Sequence, residues 1–382
     1  MLATTVRLTR DFDLAEECAQ EAFAKALESW PRDGVPDRTG AWLSAVARNK
    51  ALDVLRREEA MRRRLPLLVI ETPSIPDDRL MLIFTCCHPA LARETQVALT
   101  LKFVCGLSTA EVARAFLVPE PTMAARLTRA KKKIAAARIP YRVPAPEQLG
   151  ERVGAVLDVV HLIFTTGHAP PAGDQVVRRD LVDGAIALAR LLHLLMPADA
   201  QVTALLALLL LNHARSASRL SGDGALRLLH DQDRTRWDRS LIAEAGALLA
   251  EALRRGPPSR FAVQAAIAAV HAEAPSFEDT DWSEIVALYD MLRRLWPGSA
   301  VVDLNRAVAI GLRDGPQAGL DALDPLLAEP SLATYGYLSA ARADFLRRLG
   351  RAAEAADAYR EALALTDNEA ERAFLSGRLA SL

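Results

Sequence analysis

The residues best placed to do chemistry lie between Leu107 and Lys133, and the chemistry they suit is the gripping and reading of nucleic acid. Ser108 followed three positions later by Glu111 is a capping box, which starts a helix by satisfying backbone amides reciprocally. Ala110, Val112, Ala113 and Phe116 give that helix an apolar face, and Leu117-Val118 breaks it. Pro119-Glu120-Pro121 opens a second helix, because a proline in the first turn gives up an N–H that has no intrahelical partner anyway. Met123, Leu127 and Ile134 turn one side of the second helix inward. Thr122, Arg126, Arg129, Lys131, Lys132 and Lys133 are left outside, and no acidic residue occurs from Thr122 to Arg142. A helix-turn-helix with a polar start and a basic second half suits a major groove and its flanking phosphates. The competing reading is an ordinary helical hairpin with a solvated charged face.

Other reactive side chains are poorly arranged for catalysis. Cys86-Cys87-His88 lacks the separated pairs of a structural zinc site, and its place on an apolar helix end before Pro89 points to core packing. Cys18 and Cys105 add no CxxC pair and no disulfide framework, which fits a reducing cytoplasm. His161 and His168 flank an apolar run without a partner cluster. The C-terminal half shows no nucleophile–base arrangement, phosphate loop or ligand set of metal spacing. Neither an enzyme nor a cofactor is expected.

The elements that must position the basic helix are helical. The chain has 382 residues, enough for two or three domains, and its Leu- and Ala-rich apolar content favours helix. The formal net charge is −1, so a nucleic-acid site must be a local basic patch. Arg56, Arg57, Arg62, Arg63 and Arg64 form one such patch, and Arg126 to Lys133 the other. Apolar runs such as Ala204 to Leu211 are too short to cross a bilayer, and the first residues show no secretory leader pattern. No membrane partner is expected.

Proline clusters at Pro66, Pro73 and Pro76, and at Pro140, Pro144 and Pro146, divide the chain. The expected domains are 1–64, 77–139 and 147–382, with linkers at 65–76 and 140–146. In the first, Leu14, Cys18, Ala22, Phe23, Ala26, Leu27 and Trp30 recur at helical spacing opposite an acidic face of Asp13, Glu16, Glu17 and Glu21. WPRDGVPD reads as a turn. Trp42, Leu43, Val46, Ala47, Ala51, Val54 and Leu55 line a following helix whose other face carries Arg48, Asn49, Lys50, Arg56 and Arg57. The third domain reads as helical throughout, near 151–165, 176–196, 199–215, 238–254, 260–272, 283–296, 300–312 and 316–328. Ala343, Gly350, Ala355, Tyr359 and Ala362 match the spacing of small and aromatic residues in a tetratricopeptide repeat, with Asn305 to Leu323 a weaker copy. A non-repetitive helical bundle is the alternative. DQDRTRW, Asp231 to Trp237, interrupts this apolar domain and reads as an internal ion network or a ligand surface. The polar loop of AEAPSFEDTDW could line the same face.

Three segments in order resemble a bacterial sigma factor of the extracytoplasmic-function (ECF) type, in the sigma-70 superfamily. DLAEECAQEAFAKALE (Asp13 to Glu28) and AWLSAVARNKALDVLRR (Ala41 to Arg57) look like sigma region 2. LSTAEVARAFLVPEPTMAARLTRAKKKI (Leu107 to Ile134) looks like region 4. DRLMLIFTCCHPAL, IPYRVP, DQDRTRW and AIAAVHAEAPSFEDTDW are similar to a subgroup of these factors with a C-terminal TPR-like extension, so the resemblance spans essentially the whole chain. One departure is that only a dozen residues precede Asp13, so the first helix of region 2 is expected to be short, with either a start further upstream or a less stable unit.

The resemblance implies an all-α protein made of a region 2-like domain, a helix-turn-helix region 4-like domain and a TPR-like domain. Its implied partners are core RNA polymerase and promoter DNA, with a protein or small-molecule ligand open for the C-terminal domain. Asp13, Glu16, Glu17, Gln20 and Glu21 would dock on a basic polymerase surface. Arg48, Asn49, Lys50 and Arg56 would lie near the −10 element. Trp42 could stack on an unpaired base, although its spacing with Val46 favours the core. Glu120, Thr122, Ala124, Ala125 and Arg126 would face the −35 element, Arg126 being the best guanine contact. Arg129, Lys131, Lys132 and Lys133 would grip phosphates. A stand-alone helix-turn-helix repressor or activator is the alternative.

Overall fold

The computed structural model describes residues 1–62, 78–116, 118–170, 172–173, 176–219, 221 and 226–382. Arg63, Arg64, the linker expected at 65–76 and Leu117 lie outside the described residues, as do the side chains of Arg57 and Arg62. Two compact units emerge, Met1–Val159 and Val160–Leu382.

The first unit contains α1 (Leu2–Thr9), α2 (Phe12–Asp33), α3 (Thr39–Arg62), α4 (Asp78–Cys86), α5 (Arg93–Phe103), α6 (Thr109–Ala115), α7 (Glu120–Ala136) and the start of α8 (Pro146–His168). Arg10, in the left-handed region at φ 53°, ends α1. Asp11 then caps α2 by accepting from the amides of Asp13 and Leu14. Small residues set the contact of α2 with α3: Cys18, Ala22, Ala47 and Ala51 are all fully covered. Two sequence expectations need correction here. Phe23 and Leu27 are not inward but 52% and 78% exposed, because Cys18, Ala22 and Ala26 take the contact stripe and the next positions turn by about 100° away from it. WPRDGVPD is not wholly a turn either: α2 runs through Pro31 to Asp33, and Gly34 at φ +84° makes the stop.

Further along this unit, Leu82, Ile83 and Phe84 of α4 are fully buried. The Gln96 amide donates to the carbonyls of His88 and Leu91, closing the link between α4 and α5. The capping box forms at α6: Ser108 Oγ accepts from the Glu111 amide at 3.1 Å, and the Glu111 carboxylate accepts from the Ser108 amide at 2.8 Å. Met123, Leu127, Ala130 and Ile134 bury one side of α7. At the end of the unit, Arg152 donates to the Phe84 carbonyl, and Arg93 pairs with Asp158.

The second unit continues with α9 (Arg179–Leu195), α10 (Ala200–Ala214), α11 (Arg239–Arg255), α12 (Arg260–Glu273), α13 (Trp282–Leu295) and α14 (Ala300–Asp314). It ends with α15 (Pro316–Leu323), α16 (Gly336–Arg348), α17 (Ala352–Leu365) and α18 (Glu369–Ala380). The fold is all-α, as the apolar periodicity implies. Asp199, Asp238, Ser259, Asp281 and Asn368 each cap the helix that follows by accepting backbone amides. Helix α10 is apolar on every side and is covered from Val202 to Leu211, which makes it the centre of its neighbours. A two-residue parallel ladder, β1 (Ala172–Gly173) with β2 (Asp367–Asn368), ties the start of this unit to its end. The Asn368 side chain reinforces it by donating to the Pro170 carbonyl.

The repeat-like spacing has a packing consequence. Ala343, Ala355, Tyr359 and Ala362 are buried between α16 and α17, with Gly350 at φ +74° in the turn. The weaker copy, α14 and α15, crosses at two glycines. A Cβ built on Gly311 would lie 2.9 Å from Gly319 Cα and 2.2 Å from the Phe345 ring. Gly311→Ala is therefore expected to destabilise the protein by about 1–3 kcal/mol through overpacking. Gly246→Ala in α11 meets nothing within 4 Å and should gain about 0.5–1 kcal/mol from helix propensity alone. Urea melts of the two variants check this, and equal effects would refute the packing argument.

Candidate nucleic-acid interface

Helix α7 presents Glu120, Thr122, Ala124, Ala125, Arg129, Lys132 and Lys133 to solvent, since Met123, Leu127, Ala130 and Ile134 hold its other side in the core. Arg126 is more restrained. Its guanidinium pairs with Glu94 at 3.1 Å and lies over the Phe116 ring at 5.8 Å, leaving the side chain 24% exposed.

Lys131 departs from the phosphate-gripping role expected of it. It is only 17% exposed and donates to Asp13 and, at 3.3 Å, to Glu16. Burial works against its charge, but the hydrogen bond to Asp13 and the charges of Glu16 and Asp13 raise its pKa overall. Lys102 of α5 approaches the same Glu16 at 3.8 Å. The acidic stripe of α2 is thus met by cations from α5 and α7. Apolar contacts accompany this: Phe12 sits against Phe103 and Tyr141, with ring centroids 4.6 and 5.8 Å away. The Tyr141 of IPYRVP is pushed up to about 12 by burial, with the charge of Asp11 adding to it. Thr4 and Arg7 of α1 complete the seam on Asp78, at 2.8 and 3.2 Å.

The remaining expected residues divide by exposure. Asp13, Glu17, Gln20 and Glu21 of α2 are exposed, while Glu16 is half-buried. Phe23 and Leu27 extend the same exposed surface with apolar area. Their spacing hid this, although the alanines at 22 and 26 mark the true contact stripe. On α3, Arg48 and Asn49 are exposed, Arg56 lies 3.6 Å from Asp53, and Lys50 pairs with Glu21 at 2.6 Å. Trp42 packs edge-on against Trp30, with centroids 5.5 Å apart, and so belongs to an aromatic pair. Cys86 and Cys87 are buried, and burial raises both thiols, Cys87 to about 12. His88 turns Nδ1 to the Ala90 amide at 3.2 Å. Among the described residues no group of three metal-ligating side chains gathers, and no helix is long and apolar enough to cross a membrane.

Comparison with known families gives three matches along the chain. Residues 2–61 match Sigma-70 region 2, and residues 81–134 match Sigma-70, region 4. Residues 152–253 match a family of unknown function (DUF6596). The chain is similar to Uncharacterized protein R00370 of Rhizobium meliloti (strain 1021), at 43% identity over 395 residues covering 99% of this chain and 92% of the relative. These matches define the class as a promoter-recognising subunit of the transcription machinery. The chain belongs to the sigma-70 family of sigma factors, whose partners are core RNA polymerase and promoter DNA.

The seam between α2 and α7 can be measured. A double-mutant cycle of Lys131→Met and Glu16→Gln should give a favourable coupling of about 0.2–1 kcal/mol in urea melts at low salt, shrinking as salt rises. Strictly additive effects would show that the pair is not formed in solution.

Proposed function

We propose that the protein is an ECF-type sigma factor that binds core polymerase through α2 and reads promoters through α3 and α7, with a C-terminal helical domain as a built-in regulator or extra polymerase contact. The observation that carries this reading is the exposed strip of α2, where Asp13, Glu17, Gln20 and Glu21 adjoin Phe23 and Leu27. Carboxylates would steer the encounter with a basic surface, and the apolar pair would supply the buried centre of the contact. On the DNA side, Arg48, Asn49, Lys50 and Arg56 would serve the −10 element, while Glu120, Thr122, Ala124, Ala125 and Arg126 would serve the −35 element. Arg129, Lys132 and Lys133 would hold phosphates, joined by Lys131 once it leaves Asp13 and Glu16.

The domain reading that goes with this has a region 2-like part at 1–64, a region 4-like part at 77–139 and a TPR-like part at 147–382. What supports a regulatory role for the last is the binding surface that stacked helical pairs offer.

Run-off transcription from the promoter of the protein's own operon, with core polymerase and with or without this protein, tests the reading. A defined start that depends on the protein is expected. Arg126→Ala should weaken promoter recognition by about 1–3 kcal/mol, and Lys132→Ala should lower the salt slope by about one without changing sequence preference. A chain ending at Val159, the limit of the first unit, should differ in activity from the full chain; unchanged promoter activity argues against a regulatory extension. No transcript together with no retention on immobilised core polymerase would favour a stand-alone DNA-binding protein.

A further inference from the structure

The second unit gathers Arg219 and Arg234 around Arg215, and among the described residues none of the three forms an ion pair. Arg215 follows the end of α10, and Arg219 lies one turn further on. The Arg219 guanidinium donates to the backbone carbonyl of His168 at the end of α8. Among the described residues Arg215 makes one side-chain hydrogen bond, from Nη2 to Asn212 Oδ1 at 3.0 Å. His168 and His271, the latter at the end of α12, both lie within electrostatic reach of Arg215, and His168 within that of His213. Around Arg215 itself the charged neighbours are Arg219 and Arg234, with the Tyr289 phenol beside them.

Among the described residues, carboxylates act on this group from two sides: Glu278 and Asp279 on Arg234, and Glu371 on Arg219. The acid that acts on Arg219 is Glu371, whose oxygens accept from the Tyr337 and Thr366 hydroxyls. Arg234, in DQDRTRW, is a different case. It is buried and donates to the carbonyls of His271 and Ala274, at 2.8 and 2.7 Å, and to Thr280 Oγ1 at 3.1 Å. These donors are taken up by neutral oxygens, but its charge stays in place. Trp237 supports it from below, 5.0 Å from ring centroid to guanidinium, and fixes the turn by donating to Ser218.

Four covered nitrogens in this region have no hydrogen-bond partner among the described residues: Arg215 Nε and the Nδ1 atoms of His168, His213 and His271. Covered polar atoms without partners are rare, and each calls for a cause such as an ion that belongs there. Covered like charges without a counterion are costlier still. Burial, followed by Arg219, pushes Arg215 down to about 10, so it remains cationic near neutral pH. Burial and the nearby arginines hold His271 down at about 3 and His168 well below its usual range, so both are neutral and keep a ring N–H for donation.

We propose that Arg215 and Arg219, with His168, His213, His271 and Tyr289 around them, form a binding site for a small molecule that carries an oxyanion, a phosphate or carboxylate group. Two guanidinium groups supply the charge and the fork of donors that such groups favour. Imidazole and phenol supply directional hydrogen bonds. The site is independent of the sigma-factor reading of the first unit, and its test needs neither polymerase nor DNA.

The full chain is titrated with inorganic phosphate, pyrophosphate and citrate against sodium chloride at matched ionic strength. Thermal midpoint and tryptophan fluorescence are followed, because Trp237 lies under Arg234 and Trp282 lies against His271 at 5.3 Å. A saturable rise in midpoint with phosphate, pyrophosphate or citrate, absent with chloride, is expected. A response to the phosphates alone assigns a phosphoryl ligand, and a response to citrate alone assigns a carboxylate. Arg215→Met should weaken the response at least tenfold while leaving the anion-free midpoint unchanged or higher, since it removes a covered cation that forms no ion pair among the described residues. Arg215→Lys, which keeps the charge and loses the fork, should also weaken it, whereas Arg360→Gln in an exposed pair should not. No saturable response in the unmodified chain would overturn the proposal. So would an Arg215→Met or Arg215→Lys protein that responds as the unmodified chain does.

Discussion

Much of the first unit turns on where its charges meet. With a net charge of −1, the chain cannot rely on overall attraction to nucleic acid. It concentrates cations on α3 and α7 and carboxylates on one stripe of α2. In the free protein these surfaces partly satisfy each other: Lys131 and Lys102 meet Glu16, Lys131 also meets Asp13, and Lys50 meets Glu21. Pairs of this kind contribute no more than about 1 kcal/mol each. They are strong enough to order a surface and weak enough to be exchanged for phosphates or for a larger complementary protein surface. The apolar seam of Phe12, Phe103 and Tyr141 supplies the contact that charge alone would not hold.

This arrangement connects the two halves of the proposed function. The same carboxylates assigned to polymerase are partners of a lysine assigned to DNA. Occupying either surface with its external partner would release the other. Promoter reading and polymerase docking would then be coupled through Asp13, Glu16 and Lys131, without a change in the core of either helical group.

Local features of this design were legible in the sequence because their physics is local. The capping box at Ser108 and Glu111 closes as its spacing requires. The helices of the second unit begin within a few residues of the expected positions because Asp199, Asp238, Ser259 and Asp281 cap them. What escaped the sequence reading depends on contacts between distant residues. Lys131 looks like a solvated lysine until Asp13, more than a hundred positions away, is brought beside it. Phe23 and Leu27 look like core until the alanine stripe of α2 claims the interface. DQDRTRW reads as an ion network or as a surface for a ligand or protein, and its Arg234 is held by backbone carbonyls and a threonine that lie 37 to 46 positions away. Arg215 and His271 are separated along the chain and come within electrostatic reach where α10 packs against α12.

The most direct test of the account is binding of labelled promoter-length duplex by the protein alone and with core polymerase, measured by anisotropy across a salt series. Sequence-specific binding that requires core polymerase, with only weak and steeply salt-dependent binding by the protein alone, is the predicted result. Tight, sequence-specific binding by the protein alone, unchanged when core polymerase is added, would contradict it.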